Sequence, residues 1–153
     1  MKAVLLAGGR GSRFGSLTQR IPKPLITVGG KELIRHVIDV LPSEITECVV
    51  VLGHLGEMIE TRLGKSVGRL RLSYIRQDQN GTGGGLLASE QLVKGENLFL
   101  VVGCDDIFGE GELSKLVGPC PSYGIFHGIP GKHSGSEVLF SQENLLLGFG
   151  VVE

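Results

Sequence analysis

Apolar positions along this chain come in two rhythms, short continuous runs and stripes at helical spacing, and the two alternate. The run from Lys2 to Ala7 ends at glycines, as a buried parallel strand does. From Lys31 to Leu41, Leu33, Ile34, Val37, Ile38 and Leu41 fall at helical spacing with Lys31, Glu32, Arg35 and Asp39 opposite, and Pro42 ends the pattern. That spacing predicts an amphipathic helix. Cys48 to Leu52 is a β-rich run, after which Leu55, Met58, Ile59 and Leu63 form a second helical stripe closed by Gly64. Leu70 to Arg76 alternates apolar and polar residues as a half-buried strand does, Gly81 to Val93 reads as a glycine-opened helix, and Leu98 to Val102 is the most apolar strand of all.

Four strands joined by crossovers predict an α/β fold, a Rossmann-like open and mostly parallel sheet flanked by helices, with its ligand crevice beyond the carboxyl ends of the strands. Loops 8–24, 77–85 and 103–110 are expected to open there. Past Gly118 the character changes to runs at Ser122 to Ile129, Ser136 to Phe140 and Leu145 to Val152, with Gln142-Glu143-Asn144 as a hairpin turn. The expected organisation is a single domain over 1–153, a core at 1–118 followed by a β-rich extension at 119–153.

Composition changes this picture in one respect. With 153 residues, 41% hydrophobic and 20% charged, the chain is an ordinary globular domain that buries roughly 70% of its unfolded surface. Its 25 glycines are about twice the usual ~7%, which points to tight turns and close ligand approach. Cys48, Cys104 and Cys120 are odd in number and lack C-x-x-C spacing, so neither a disulfide framework nor a zinc site is indicated. Reduced thiols in a cytoplasm are expected. The apolar run Ala3 to Ala7 is shorter than the core of a signal peptide, and no run approaches the ~18 residues of a membrane span.

A net charge of −1 speaks against a broad basic face for nucleic acid or acidic membrane. The positive charge is local instead. Arg10, Arg13, Arg20 and Lys23 lie within fourteen residues that hold no carboxylate, while the other residues carry 11 basic and 16 acidic side chains. Gly8, Gly9 and Gly11, flanking Arg10, can take positive φ and bring backbone N–H groups against an anion. The sequence lacks the G-x-G-x-x-G of dinucleotide binding, since Phe14 stands where the third glycine belongs, and it has no G-x-x-x-x-G-K-[ST]. A guanidinium and an ammonium beyond a loop of amides, Arg13 and Lys23, suit a triphosphate whose charge moves toward leaving pyrophosphate.

Leu6-Ala7-Gly8-Gly9-Arg10-Gly11-Ser12-Arg13-Phe14, with Leu17-Thr18 and Pro22-Lys23-Pro24-Leu25, resembles the signature of the nucleotidyltransferases that activate sugar 1-phosphates and related phosphorylated alcohols. Ser12 replaces the usual threonine, Phe14 leucine and Ser16 proline, a version similar to members that use CTP and phosphocholine. The resemblance implies the nucleotide-diphospho-sugar transferase type of fold. It also implies a nucleotide site at Leu6, Ala7, Gly8, Gly9, Gly11 and Ser12, with Arg13 and Lys23 as catalytic cations.

Gln77-Asp78-Gln79-Asn80-Gly81-Thr82-Gly83-Gly84-Gly85 is a strand-to-helix turn, which by itself could be a plain helix start capped by Thr82. In the family this segment reads the base, and the position five before Gly81 holds glutamine; here it holds Arg76, with Gln77 or Gln79 as substitutes beside Gly81 and Thr82. Asp105-Asp106 after the most apolar strand are hard oxygen donors suited to Mg2+. Asp105 aligns with the family's metal aspartate, and Cys104 before it replaces glycine and reads as a packed thiol rather than a nucleophile. Of His36, His54, His127 and His133, no pair has metal spacing; His54 ends the second strand on the ligand side, where relatives often carry tyrosine.

The resemblance implies an enzyme that binds a nucleoside triphosphate with Mg2+, transfers the nucleotidyl group to a phosphorylated small-molecule acceptor and releases pyrophosphate. It is strongest over 1–110. It further implies a second metal aspartate and most of an acceptor pocket beyond Glu153, so a fragment and a naturally short form are both open, and a homodimer could supply an acceptor wall. Two alternatives stand beside this reading: a catalytically incomplete nucleotide or sugar-nucleotide binding module, and a nicotinamide-dinucleotide-binding Rossmann protein, which gives the Pro22-Lys23-Pro24 element no role.

Overall fold

The computed structural model describes residues 1–78 and 81–118, together with the backbone of two strands at 136–140 and 146–151. Contacts divide the chain into two units, Met1–Pro121 and Ser122–Glu153. In the first, β1 (Lys2–Leu6), β4 (Glu47–Leu52), β6 (Leu70–Arg76) and β7 (Phe99–Gly103) are parallel neighbours. A two-residue strand β5 (Ser66–Val67) adds antiparallel to the edge of β6, so the sheet runs β5-β6-β4-β1-β7. The chain steps from β1 outward to β4 and β6, then returns to place β7 on the other side of β1. That reversal makes the carboxyl ends of β1 and β7 a topological switch point, where open α/β sheets bind ligands.

Helix α1 (Leu33–Asp39) and helix α2 (Gly56–Leu63) cover one face of the sheet; their Ile34, Val37, Ile38, Ile59 and Leu63 join Leu5, Val50, Leu52, Leu70 and Val102 in the main core. Helix α3 (Gly81–Val93) covers the other face, where Val93 meets Val4, Val49 and Val51. Both faces of β1 and β4 are therefore buried, which is why these strands read as unbroken apolar runs rather than alternating ones.

The structure corrects the expected elements in three places. Lys31 and Glu32 do not start the first helix; they form strand β3 (Lys31–Glu32), antiparallel to β2 (Thr27–Val28). Gly29 and Gly30 join them at φ 59° and 83°, the two left-handed residues that a type I′ hairpin turn requires. Met58 is not part of the buried stripe of α2, being 41% exposed. Leu55 stops at the helix N-cap in the left-handed region, so the covered stripe is Gly56, Ile59 and Leu63. Strand β5 had no counterpart in the sequence pattern.

In the second unit, β8 (Ser136–Phe140) and β9 (Leu146–Val151) pair antiparallel. The turn expected at Gln142-Glu143-Asn144 and the run Ser122 to Ile129 lie outside the described residues. No helix among the described residues is long and apolar enough to cross a membrane.

Candidate functional site

The parallel ladder runs one residue past each strand, and this sets the site. The Ala7 amide donates to the Val51 carbonyl at 3.0 Å, Gln77 to Leu52 at 3.0 Å and Cys104 to Leu6 at 3.3 Å. Gly8, Gly53, Gln77 and Asp105 therefore emerge together at the carboxyl edge of the sheet. There two cavities share Gly9 in their lining. A cleft of about 380 Å³ is lined by Gly8, Gly9, Arg10, Gln77 and Gly81. A smaller recess of about 50 Å³ is lined by Leu6, Ala7, Gly9, Lys23, Pro24, Cys104 and Asp105.

The glycines of the first loop differ in what they require. Gly11 alone of the three takes positive φ, 61°; Gly8 and Gly9 do not. A β-carbon on Gly8 would lie 2.6 Å from Gln77 Oε1, and one on Gly53 would lie 2.3 Å from the Gly8 carbonyl oxygen. The close neighbour of Gly8 is a side chain that can move, whereas that of Gly53 is backbone. The side chain of Gln77 lies across Gly8 and close to Gly85, where an added β-carbon would meet its Oε1 at 3.1 Å. Gly85 also faces Leu6, whose Cδ2 would be 2.9 Å away.

Lys23 opens a tight turn, Lys23–Leu25, between two buried prolines. Its Nζ donates to Asp105 Oδ2 at 2.6 Å and lies 5.4 Å from the centre of the Phe14 ring. Two residues 82 positions apart in sequence thus meet at the switch point. A half-exposed ion pair of this kind contributes about 1 kcal/mol or less to stability, so stability is a weak reason for placing it there. Gly103 leaves room for the Asp105 carboxylate, whose Oδ1 would be 2.8 Å from an added β-carbon. Beside it, partial burial and the Asp105 charge raise the Asp106 carboxyl above its usual range, against a lowering pull from Lys23.

Arg13 and Ser12 are exposed on the turns Ser12–Gln19. Gly81 opens α3 at φ 87°, and Thr82 lies inside the first turn of that helix rather than at its cap. Gln79 lies outside the described residues, as do His127, His133 and Cys120. Arg76, at the expected glutamine position, is paired with Glu57 at 3.0 Å. Cys104 is buried and its thiol is raised by burial, in keeping with a packed residue. Sequence reasoning passed over Gly53, and it placed Thr18, Gly85 and Gly103 within motifs without giving them a role. Gly53 carried a signal, since it follows its strand as Gly8 follows β1, and a glycine there marks a close backbone approach.

A family description, the MobA-like NTP transferase domain, matches residues 3–123. The chain belongs to this family. The NTP transferase domain is 32% identical over 109 residues to the bifunctional protein GlmU of Methanococcus maripaludis, covering 71% of this chain and 25% of that protein. It is likewise 32% identical over 118 residues to GlmU of Alkaliphilus oremlandii, covering 76% and 24%. The chain thus spans about a quarter of the length of the curated relatives it matches. A UDP-glucose pyrophosphorylase solved with UDP-glucose superposes with a TM-score of 0.60 at 26% identity, over 68% of this chain and 45% of that one. The UDP-glucose pyrophosphorylase of Acinetobacter baumanii gives 0.65 at 22% identity, over 75% and 52%, a likeness of fold. The NTP transferase domain therefore has sugar-nucleotide pyrophosphorylases among its homologues, as the first-loop residues led one to expect.

Proposed function

We propose that this domain binds a nucleoside triphosphate with Mg2+ and transfers its nucleotidyl group to a sugar 1-phosphate or a similar phosphorylated alcohol. The observation that supports this most is that Gly9 lines both a glutamine-bearing cleft and a recess holding the Lys23–Asp105 pair. A nucleotide laid across the turn has its base on the Gln77 and Gly81 side and its phosphates toward the loop cations. Gly8, Gly9 and Gly11 offer backbone amides, Arg13 neutralises the β- and γ-phosphates, and Lys23 steadies the α-phosphate or the acceptor phosphate. An acceptor phosphate oxygen forms a bond to the α-phosphorus, the bond to the β-phosphate oxygen breaks, and pyrophosphate leaves with that electron pair. No covalent enzyme intermediate is needed, so rate comes from positioning and charge stabilisation.

The donor set fits magnesium. Asp105 and Asp106 are adjacent carboxylates just past β7, and Mg2+ usually takes one or two carboxylates with phosphate oxygens and waters rather than a protein cage. Asp105, with Asp106 beside it, would hold the ion, which supplies charge neutralisation to the triphosphate.

The test is pyrophosphate release measured beside triphosphate binding, with each common nucleoside triphosphate, Mg2+ and a panel of sugar 1-phosphates and phosphocholine. Turnover that Lys23→Ala lowers at least tenfold more than it lowers triphosphate affinity supports the assignment. Equal losses in both sink the role of Lys23. Triphosphate binding without release for any acceptor selects a binding module instead.

A further inference from the structure

Arg13 is carried by a segment outside the sheet and the helices, yet the course of that segment is fixed at both ends. Gly11 turns the chain through the left-handed region. Thr18, only 3% exposed, donates its hydroxyl to the Gly11 carbonyl at 3.0 Å and lies 3.3 Å from the Gly15 carbonyl, one proton facing two acceptors. A β-carbon on Gly11 would lie 2.9 Å from Thr18 Cγ2, so the two residues are in close contact. The Thr18 carbonyl then receives a hydrogen bond from His54 Nε2 at 3.1 Å. Its partner being a carbonyl, Nε2 carries the proton.

His54 follows Gly53, the residue seated against Gly8. The two-residue turn after β4 therefore grips the anion loop at both ends, Gly53 at the glycines and His54 at Thr18, with Arg13 between them. A single hydrogen bond from an exposed histidine is a small part of the stability of a domain. Its larger effect is on where the turn between Gly11 and Thr18 lies, and hence on where a long, flexible arginine starts.

We propose that His54 is a positioning residue for Arg13, acting through Thr18 on the turn that presents the guanidinium to a bound polyphosphate. The proposal rests on the nucleotidyl-transfer reading of the site. The experiment is titration calorimetry of the full chain with inorganic tripolyphosphate, on wild type, His54→Phe, His54→Gln, Arg13→Ala and the double variant His54→Phe/Arg13→Ala, with melting temperatures recorded alongside. His54→Phe is expected to weaken binding about fivefold, the scale of one hydrogen bond, with little change in melting temperature. His54→Gln, whose amide N–H can serve the same carbonyl, restores most of it. The double variant is expected to bind no more weakly than Arg13→Ala alone, because both changes remove the same interaction. Unchanged binding by His54→Phe, or losses that multiply in the double variant, overturn the role of His54 while leaving the site reading in place. A wild-type protein that binds no tripolyphosphate overturns both.

Discussion

Gly8 and Gly53 face each other with nothing but backbone between them, so position 53 tolerates no side chain. In Gly53→Ala the new β-carbon would meet the Gly8 carbonyl oxygen at 2.3 Å and its Cα at 2.8 Å, and backbone cannot rotate aside as a side chain can. The expected outcome is a loss of about 1–3 kcal/mol and at least tenfold weaker triphosphate binding, read by thermal melts and calorimetry. Gly9→Ala is the control, since open space surrounds that position; it should melt with the wild type. At this scale the sequence was partly legible. The glycine excess announced close approaches, and the spacing of Arg13, Lys23 and Asp105 pointed to one end of the sheet. It did not separate a glycine kept for φ, such as Gly11, from one kept for space, such as Gly53. That distinction depends on which turn lies across from which, a property of strand register and not of local sequence.

Among the elements, a strand and a helix in the middle of the chain were the best read. Leu70–Arg76 and Gly81–Val93 have the expected bounds. The short β2–β3 hairpin was lost inside a helical pattern because Lys31 and Glu32 continue the polar face of α1, although Gly29-Gly30 is itself a hairpin signal. Glu32 has work beyond that strand. It pairs with Arg62 of α2 at 2.6 Å and with Arg35 of α1 at 3.0 Å, tying the two helices that cover the main core. The hydrogen bond from Arg62 is the largest cause holding the Glu32 carboxyl below its ordinary value, opposed by burial. A depressed folded-state value stabilises the protein above the unfolded carboxylate range and is lost as pH falls through the folded value. Glu32→Gln should therefore melt below wild type at pH 7, and the gap should close as pH drops toward 3; a gap that persists in acid would assign the loss to packing instead.

For the whole molecule, alternation of strand and helix was visible in the pattern, but the order of strands was not. The reversal that sets β7 beside β1 follows from which faces each helix covers, and it decides where the ligand crevice lies. The same burial seals the thiols. Cys48 and Cys104 are buried in the main core, and burial pushes the Cys48 thiol up to about 12, so neither is a thiolate near neutrality. With Cys120 replaced by serine, the native protein is expected to consume no alkylating reagent at pH 8 and two equivalents per chain in denaturant. Partial labelling in native buffer would mean that the core opens locally.

The backbone contact between Gly8 and Gly53 also has a kinetic meaning. Two turns separated by a side chain can breathe independently, each on its own timescale, but here the β1 turn cannot lift without uncovering the β4 turn beneath it. The amide protons of Ala7 and Gly56, bonded to the Val51 and Gly53 carbonyls, should therefore exchange with solvent through one shared opening, and a ligand that quiets one should slow the other by the same factor.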